Sequence, residues 1–413
     1  MTRTDSWLRT FIVIFTGQAF SLLGSAAVNF AIVWWLTETT GSASILAYAS
    51  IAAILPQAVL SPIAGPFIDR WDRRRTMIVA DLAIAATSVG LLLAFLAGTP
   101  SVALVVIAVA LRSAGAAFHT PASQAAVPMY VPPDQLMRVA GWNFFLSSGV
   151  SMAGPVLGAF MMATLSISAV IAVDIAGAFL AVASLLVVRI PHPERAEDAP
   201  VSLDFVAEFR EGWQELVRHR GLLDLTLAMA VVTLLYMPLN ALFPLMTFSH
   251  FGGDAAAASY VEFAFGGGML LGSLAIGALA RRFSGVRLVS AGILMLGVPV
   301  GIAGVLSQSA FWVFAALCVV MGVSAPLFGA PITAMFQRLI DPAKLGRVMS
   351  LYMTLAMLAA PAGLLVAGPL AERIGVAYWF ALSGMLIVIA GLVTWSLPAV
   401  RQLDETIRAL GDA

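Results

Sequence analysis

The sequence predicts an all-α polytopic membrane protein with twelve transmembrane helices in two bundles of six. Apolar residues make up 61% of the 413 residues and charged residues only 11%, whereas a soluble domain is roughly 45–50% apolar. The apolar residues form continuous runs of about 20 residues, the length that a helix needs to cross a bilayer. One long hydrophilic stretch, residues 192–220, divides these runs into two sets of six.

The apolar runs define the predicted spans in chain order. Continuous runs favour helices over barrel strands, which would be shorter and would alternate in polarity. The first run lacks the small-residue cleavage site of a signal peptide, so it is also predicted to be a span. The predicted spans are Phe11–Trp35, Ser44–Phe67, Thr76–Ala97, Val102–Phe118, Val139–Thr164, Ser168–Arg189, Leu222–Phe248, Ser259–Ala280, Leu288–Leu306, Phe311–Ile332, Val348–Leu370 and Val376–Leu397.

Charge marks the turn between the second and third spans. Residues 69–75 contain two aspartates and four arginines. Such a cluster cannot enter hydrocarbon, and the positive-inside rule places it on the cytoplasmic face. With both termini on that face, Arg112 and Arg373 are the only two of the 22 basic residues outside it or its margins. This distribution predicts an even number of spans.

The predicted domains follow from the hydrophilic stretch. Residues 1–190 form the N-terminal bundle, 191–220 a cytoplasmic linker, 221–400 the C-terminal bundle and 401–413 a cytoplasmic tail. Within the linker, Leu203–Val217 gathers its apolar side chains on one face at helical spacing. This pattern predicts an amphipathic helix lying at the membrane interface between the two bundles.

Internal repetition supports two similar bundles. Phe118–Ser123, predicted to end the fourth span, is similar to Phe328–Thr333, predicted to end the tenth. Pro133–Val139, which leads into the fifth span, is similar to Pro342–Val348, which leads into the eleventh. Parallel repeats in the same order predict two six-helix bundles related by an axis along the membrane normal.

On these residues the chain resembles the major facilitator superfamily. Gly65-x-x-x-Asp69-Arg70-x-x-Arg73-Arg74 is similar to that family's loop signature, with an aspartate at position 72 where a second glycine is usual. The chain resembles more closely the macrolide-efflux subgroup of drug:proton antiporters. The stretches that carry this closer resemblance are Gly17–Ala19, Leu36–Ala43, Ala80–Leu82, Phe118–Ala122, Tyr236–Leu245 and Leu345–Val348.

The resemblance implies a proton-coupled secondary transporter that exports amphipathic, macrolide-like drugs by alternating access. It implies no cofactor, since the proton gradient drives transport. The expected partners are the lipid bilayer, a small amphipathic substrate and protons, with no nucleic acid, and we expect a monomer in a bacterial cytoplasmic (inner) membrane. Three alternatives stay open: export of a siderophore or another endogenous metabolite, proton-coupled uptake, and a non-transporting scaffold or receptor. Charges within the spans argue against the last, because a scaffold gains nothing from their cost.

Three charged residues within the spans are predicted to couple transport to protons. A charge at the bilayer centre costs at least about 2.5–3.5 kcal/mol. Arg112 lies about 15 Å into the fourth span at 1.5 Å per residue, and it resembles the family's fourth-span arginine, which is linked to proton coupling. Asp174 could reach a similar depth and is the first choice for the titrating carboxylate. Glu262, near the outer end of the eighth span, is the alternative as a proton or cationic-substrate site.

The loop signature and one nearby acid are the predicted gating residues. In the family, the aspartate that matches Asp69 meets the start of the eleventh helix, where unpaired N–H groups favour an anion. Breaking that contact would open a gate. Asp81 lies about six residues from the loop arginines and is assigned to the same charge network. The gating set is Gly65, Asp69, Arg70, Arg73, Arg74 and Asp81.

Glycines of the fifth span match part of the family's antiporter signature. Gly141, Gly154, Pro155 and Gly158 fit it, although two of its glycines are replaced. Small residues also let helices approach closely and proline bends a helix, so packing alone would give the same pattern.

Polar and aromatic residues within the spans are candidates for the substrate cavity, since a large amphipathic drug needs apolar walls and few polar contacts. Pro238 and Pro244 flank one of them and predict a broken or bent seventh span. The candidates are Gln18, Asn29, Gln57, Asn143, Phe144, Tyr236, Asn240, Phe243 and Phe265.

The sequence offers no support for an enzyme or a metal site. It has no Gly-x-x-x-x-Gly-Lys-Ser/Thr phosphate loop, and its one lysine is Lys344. The four histidines lack the spacing of metal ligands, and the single cysteine, Cys318, excludes an internal disulfide.

Overall fold

The structure, a computed structural model, describes residues 3–188, 190 and 205–411. Its α-helices, numbered in chain order, are α1 (Arg3–Thr40), α2 (Ala43–Arg70), α3 (Arg73–Ala97), α4 (Val102–Tyr130), α5 (Leu136–Thr164), α6 (Ile167–Val187), α7 (Phe205–Arg218), α8 (Arg220–Leu245), α9 (Ala255–Leu279), α10 (Gly285–Ala303), α11 (Phe311–Leu339), α12 (Pro342–Ile374), α13 (Val376–Ser396) and α14 (Pro398–Gly411). A 3₁₀ turn, Pro133–Gln135, precedes α5, and a π-helical turn, Met246–His250, follows α8.

Twelve of these helices are long and apolar enough to cross a membrane, namely all except α7 and α14. Each predicted span overlaps one of them, which confirms the predicted fold class. Arg189, the predicted end of the sixth span, and the linker residues before Phe205 lie outside the described residues.

Several predicted helix ends are wrong, because α1 begins at Arg3, eight residues before the predicted start, and α4 and α11 both end later than predicted. The fourth span was expected to end at Phe118, but α4 continues through Pro121 and Pro128 to Tyr130. The tenth span was expected to end at Ile332, directly after Pro331, but α11 continues to Leu339. A proline removes one N–H donor, and neighbouring helices in a membrane protein re-satisfy the freed carbonyl, so the helix can pass through it.

The helices group into two compact units. The first unit comprises α1, α2 from Tyr48 onward, and α3–α6. Small residues bring α1 close to α6: a Cβ atom at Gly177 would lie 3.0 Å from the carbonyl oxygen of Phe20, and one at Gly17 would lie 2.5 Å from Ser184 Oγ. Lipid is as apolar as the helix surface, so no hydrophobic effect drives membrane helices together. Glycines instead let their backbones approach closely and gain van der Waals contact.

The second unit comprises α7–α14 together with Gly41–Ala47 at the start of α2. That short segment is hydrogen-bonded within the unit, because Glu372 Oε2 accepts from Ser42 Oγ at 2.9 Å and from the N–H of Ser44 at 3.1 Å. Glycines again set the helix spacing. A Cβ atom at Gly268 of α9 would lie 3.1 Å from the Cα atom of Gly322 in α11.

The C-terminal residues, predicted only as a tail, form the amphipathic helix α14 from Pro398. Leu403 is buried against α8, at a point where a Cβ atom on Gly221 would lie 2.6 Å from Leu403 Cγ. Asp404 Oδ1 accepts a hydrogen bond from the N–H of Val286 at 3.3 Å. This contact satisfies one of the unpaired donors at the start of α10.

Helix α7 overlaps the predicted amphipathic stretch and is held to the start of α12 by two ion pairs. Glu215 accepts from Lys344 Nζ at 2.9 Å, and Glu211 pairs with Arg347. Between these pairs, a Cβ atom at Gly212 would lie 3.0 Å from the carbonyl oxygen of Arg347. The hydrogen bond from Lys344 is the largest effect lowering the pKa of Glu215.

Candidate functional site

The first unit contains a buried ion pair between α4 and α6. Arg112 Nη1 donates to Asp174 Oδ2 at 2.5 Å, and the two side chains are only 8% and 2% exposed. These are the two residues that the sequence placed at similar depths, and the structure brings them into direct contact. A buried pair is retained only if its remaining hydrogen-bonding groups are also satisfied.

Two serines complete the pair. Ser25 Oγ of α1 donates to Asp174 Oδ1 at 2.7 Å, and Ser88 Oγ of α3 donates to Asp174 Oδ2 at 3.0 Å. The Arg112 guanidinium in turn donates to both hydroxyl oxygens. One carboxylate therefore receives donors from α1, α3 and α4, and it anchors these helices to α6.

The sequence did not indicate these serines. A serine in a membrane helix commonly bonds the carbonyl oxygen one turn earlier, so its presence alone predicts no partner. The available signal was Gly24, next to Ser25. A Cβ atom at Gly24 would lie 3.1 Å from the Cα atom of Asp174, so the glycine lets α1 approach close enough for Ser25 to reach the carboxylate.

A second polar contact joins α3 and α4 two helical turns away. His119 Nε2 lies 3.3 Å from Asp81 Oδ1, and Gln18 Nε2 donates to Asp81 Oδ2 at 3.4 Å. Asp81 and Ser88 are seven residues apart in α3, as Arg112 and His119 are in α4. Seven residues rise about 10 Å along a helix. Because α3 and α4 run antiparallel, the Asp81–His119 contact lies about 10 Å along both helices from the Ser88–Arg112 contact. Two polar contacts, at different depths, therefore connect α3 and α4.

The placement of Asp81 corrects a prediction. It was assigned to the charge network of the α2–α3 loop, but its partners among the described residues are Gln18 and His119. Two turns of α3 carry Asp81 away from the loop and turn its side chain toward α4. Gln18, predicted as an open cavity residue, is likewise buried in this contact.

The loop arginines bind carbonyl oxygens of α4 and of the last turn of α6. Arg73 Nη1 donates to the carbonyl oxygen of Ala125 at 3.0 Å. Arg74 donates to the carbonyl oxygens of Leu185, at 2.6 Å, and Leu186, at 2.9 Å, near the end of α6. Cations at the end of a helix satisfy its unpaired carbonyl groups and favour its dipole. Of the other predicted gating residues, Gly65, Asp69 and Arg70 belong to α2, and their side chains are outside the described part of the structure.

Glu262 of the second unit has different surroundings. It lies half-buried in α9, and within the described residues its carboxylate makes no hydrogen bond or ion pair. Nearby, the Tyr236 and Phe265 rings stack with centroids 6.2 Å apart. A carboxylate without an ion-pair partner among the described residues, in a spanning helix that also carries an aromatic ring, suits a proton or an organic cation.

Phe243 belongs to the core of the second unit, not to a cavity wall as predicted. It is 2% exposed and packs against Phe265, Phe314 and Phe380, with centroid distances of 6.4, 5.9 and 5.5 Å. Helix α8 runs unbroken through Pro238, and the helical path widens into the π turn directly after Pro244. The predicted irregularity therefore lies at the second proline.

The other cavity candidates differ in exposure. Asn29, Asn143 and Asn240 are exposed, and Gln57 is half-buried. The side chain of Phe144 lies outside the described part of the chain. Within the described residues, no group of three or more His, Cys, Asp or Glu side chains could hold a metal ion.

Two of the fifth-span glycines pack against α1, and the third is exposed. A Cβ atom at Gly158 would lie 2.8 Å from the carbonyl oxygen of Ala27 in α1, and one at Gly154 would lie still closer to the Cβ atom of Ala26. Gly141 faces open space, and α5 continues through Pro155. Close packing against α1 therefore accounts for two of the three glycines.

Comparisons with known proteins agree with this architecture. The sequence profile of the Major Facilitator Superfamily matches residues 14–261 and 225–412. Macrolide efflux protein A of Streptococcus pyogenes is 40% identical over 407 residues, covering 98% of this chain and all of that protein. Multidrug efflux pump Tap of Mycobacterium tuberculosis is 30% identical, covering 95% of this chain and 94% of the pump.

Solved structures share the fold at low sequence identity. A D-xylose-proton symporter superposes with a TM-score of 0.71 at 15% identity, covering 96% of this chain and 99% of that one. The nucleoside transporter NupG superposes with a TM-score of 0.70 at 12% identity, covering 98% and 99%. From the profile match, the full-length relatives and the shared fold, this chain belongs to the major facilitator superfamily.

Proposed function

We propose that this protein exports amphipathic, macrolide-like compounds across a bacterial cytoplasmic membrane in exchange for protons. The names of two of its relatives, a macrolide efflux protein and a multidrug efflux pump, favour export over the uptake and siderophore alternatives. The arginines between α2 and α3 support an orientation with this loop and both termini in the cytoplasm.

The Arg112–Asp174 pair is the observation that carries the proposal of proton coupling. An ionised Asp174 attracts the guanidinium and accepts from Ser25 and Ser88. A proton on Asp174 removes the charge attraction and turns one acceptor oxygen into a donor. Helices α1, α3, α4 and α6 then lose their common anchor, so proton binding biases the arrangement of these helices.

Glu262 is the proposed contact for a positively charged group on the substrate. Its carboxylate lacks a partner among the described residues, whereas Asp174 is already neutralised within its own unit. A carboxylate without a counter-charge inside a membrane gains most from a cation or a proton. The stacked rings of Tyr236 and Phe265 add apolar surface and a cation–π face.

A transport assay tests the proposal. Cells with and without the protein are compared for accumulation of a macrolide, a lipophilic cation and a siderophore, each with and without a protonophore. We expect lower accumulation of the macrolide and the lipophilic cation, and loss of this difference when the proton gradient is collapsed.

A matched variant makes the test specific. Arg112→Ala should abolish the difference, while Arg282→Gln, a change at an exposed arginine, should leave it intact. Export that persists without a proton gradient, or in a well-expressed Arg112→Ala protein, would contradict proton coupling through this pair.

A further inference from the structure

The first unit carries an apolar groove between α3 and α4 that the transport mechanism above does not use. Its volume is about 700 Å³, within the roughly 300–1,000 Å³ of sites that hold small ligands. Small side chains line its floor, and Trp71, Asp72 and Arg75 form its rim. The remaining lining residues are Thr76, Val79, Ala80, Ala83, Thr87, Leu111, Ala114, Gly115 and Phe118.

The groove has the length of one membrane leaflet. Its lining follows α3 from Arg75 to Thr87, a rise of about 18 Å at 1.5 Å per residue. Half of a hydrocarbon core of about 30 Å is about 15 Å. Val79, at 66% exposure, and Leu111, at 56%, leave it open toward the outside of the unit. Its dimensions and polarity suit an extended hydrocarbon chain.

The rim provides an exposed arginine, whose ion pair is weak, and an aromatic side chain suited to the membrane interface. Of the three consecutive arginines, Arg73 donates to a carbonyl oxygen of α4 and Arg74 to carbonyl oxygens in the last turn of α6. Arg75 differs, since its side chain is 82% exposed and its ion pair, 3.5 Å from Nε to Asp72 Oδ2, joins it to a residue three positions earlier in the chain. An exposed pair of this kind contributes little and yields readily to a better anion. Trp71 is exposed beside it, as aromatic side chains at a membrane interface are.

A second groove shows that the charge at the rim is specific to the first. It lies between α8 and α13, has a volume of about 490 Å³, and is similarly apolar. The charged residue in its described lining is Asp224, and no arginine or lysine belongs to that lining. The first groove offers an arginine to an anionic group, once Arg75 leaves Asp72, whereas the described lining of the second offers only a carboxylate.

We propose that the α3–α4 groove binds one anionic phospholipid from the leaflet on the side of the α2–α3 loop. An acyl chain fills the groove, and the phosphate pairs with the guanidinium of Arg75. Arginine binds phosphate with two parallel hydrogen bonds, which a lysine cannot reproduce. Under the orientation proposed above this is the cytoplasmic leaflet, but the binding site does not depend on that orientation.

Native mass spectrometry of the purified full chain tests the site. The protein is delipidated, then incubated with phosphatidylglycerol or phosphatidylcholine, and the lipid retained per chain is counted. We expect about one tightly retained phosphatidylglycerol and weaker retention of phosphatidylcholine. Soluble glycerol phosphate should not compete, because it lacks the acyl chain.

Two variants separate the headgroup contact from the groove. Arg75→Gln should weaken phosphatidylglycerol retention about fivefold, as expected for one arginine at a membrane surface, and should remove the preference over phosphatidylcholine. Ala83→Phe fills the groove and should reduce retention of both lipids. The matched controls are Arg282→Gln and Ala103→Phe, the same kinds of change at exposed sites outside the groove.

The outcomes decide between occupants. Equal retention of the two lipids by the wild type, or unchanged retention in both Arg75→Gln and Ala83→Phe, overturns the proposal. It is also overturned if Ala83→Phe leaves lipid retention intact and lowers binding of a macrolide, because the groove then belongs to the substrate. Export activity is a separate readout, so a failure of the transport proposal leaves this test unaffected.

Discussion

Asp174 and Glu262 are acids in spanning helices of different units, and their surroundings are opposite. Around Asp174, a guanidinium and two serine hydroxyls donate to the carboxylate. Around Glu262, the described residues provide no hydrogen bond or cation. The Asp174 carboxylate finds its hydrogen-bond donors and its counter-charge within the protein, whereas the Glu262 carboxylate has neither among the described residues and is open to a proton or a cation from elsewhere.

This difference suggests different roles for Asp174 and Glu262, although both look alike in the sequence as single acids in apolar spans. A paired carboxylate exchanges its proton against an internal cation, so its protonation changes how α1, α3, α4 and α6 are held together. An unpaired carboxylate changes little within the unit, but it attracts an external cation or proton. This contrast supports the proposal that Asp174 couples transport to protons and that Glu262 recognises the charge of the substrate.

Arg112→Ala should have the largest effect of the changes considered. Removing one partner of a buried pair leaves an uncompensated charge and costs about 3–5 kcal/mol. We expect loss of export and a lower thermal unfolding temperature in detergent. The double variant Arg112→Ala with Asp174→Asn removes the stranded charge, so it should regain stability without regaining export. If the double variant is no more stable than Arg112→Ala, the pair does not act as described.

Exchanging the two acids for amides should separate their roles. Asp174→Asn mimics the protonated state, so drug exchange without a proton gradient should survive while proton-driven export is lost. Glu262→Gln should weaken binding of a cationic drug by about tenfold or more, since hydrogen bonds to charged groups contribute about 1.5–3 kcal/mol.

A neutral substrate provides the control for this pair. Its binding should be unaffected by Glu262→Gln, because no charge is paired at that carboxylate. The assignment fails if Asp174→Asn keeps the wild-type pH profile of drug binding, or if Glu262→Gln weakens neutral and cationic drugs equally.

Ser88→Ala should have an intermediate effect. It removes one donor from Asp174 and one acceptor from Arg112, with a cost of about 1–3 kcal/mol for the groups left unsatisfied. Thermal unfolding measures the loss, and the pH profile of export should shift because the ionised carboxylate has one donor fewer. Ser151→Ala is the matched control, since Ser151 Oγ donates to the carbonyl oxygen of Ser147 in its own helix. Equal effects of the two substitutions would show that the contact of Ser88 with Asp174 and Arg112 is unimportant.

The smallest expected effect concerns Glu215, a carboxylate outside the spanning helices. Its pKa is lowered, chiefly by the hydrogen bond from Lys344. A lowered pKa contributes stability above the ordinary value of 4.5, and that contribution is lost as the pH falls through the lowered pKa. Lys344 is partly exposed, so the contribution is about 1 kcal/mol or less.

Hydrogen exchange of α7, corrected for its intrinsic pH dependence, measures this effect. Protection should be constant between about pH 7 and 5 and should fall below the ordinary glutamate range. In Lys344→Gln, protection should be lower at neutral pH and should depend less on acid. An identical pH dependence in the variant would mean that Lys344 does not hold α7.

Composition and periodicity are enough to predict the twelve spans because crossing a bilayer imposes a length and a polarity on every helix. The same requirement made Arg112, Asp174 and Glu262 conspicuous as charges in apolar runs. Helix ends outside the hydrocarbon carry no such constraint, and for that reason the sequence placed the ends of α4 and α11 too early and treated α14 as a tail.

Which side chains meet is decided by the rotation and spacing of helices, and no single helix encodes these. Ser25 and Ser88 reach Asp174 because Gly24 lets α1 approach α6 and because α3 turns Ser88 toward Arg112. The same packing takes Asp81 from the loop arginines to His119, and it buries Phe243 among other rings. The sequence by itself determined which charges enter the membrane, because their cost is local. Only the tertiary structure decided that Asp174 is paired while Glu262 has no partner among the described residues, because pairing depends on several helices at once.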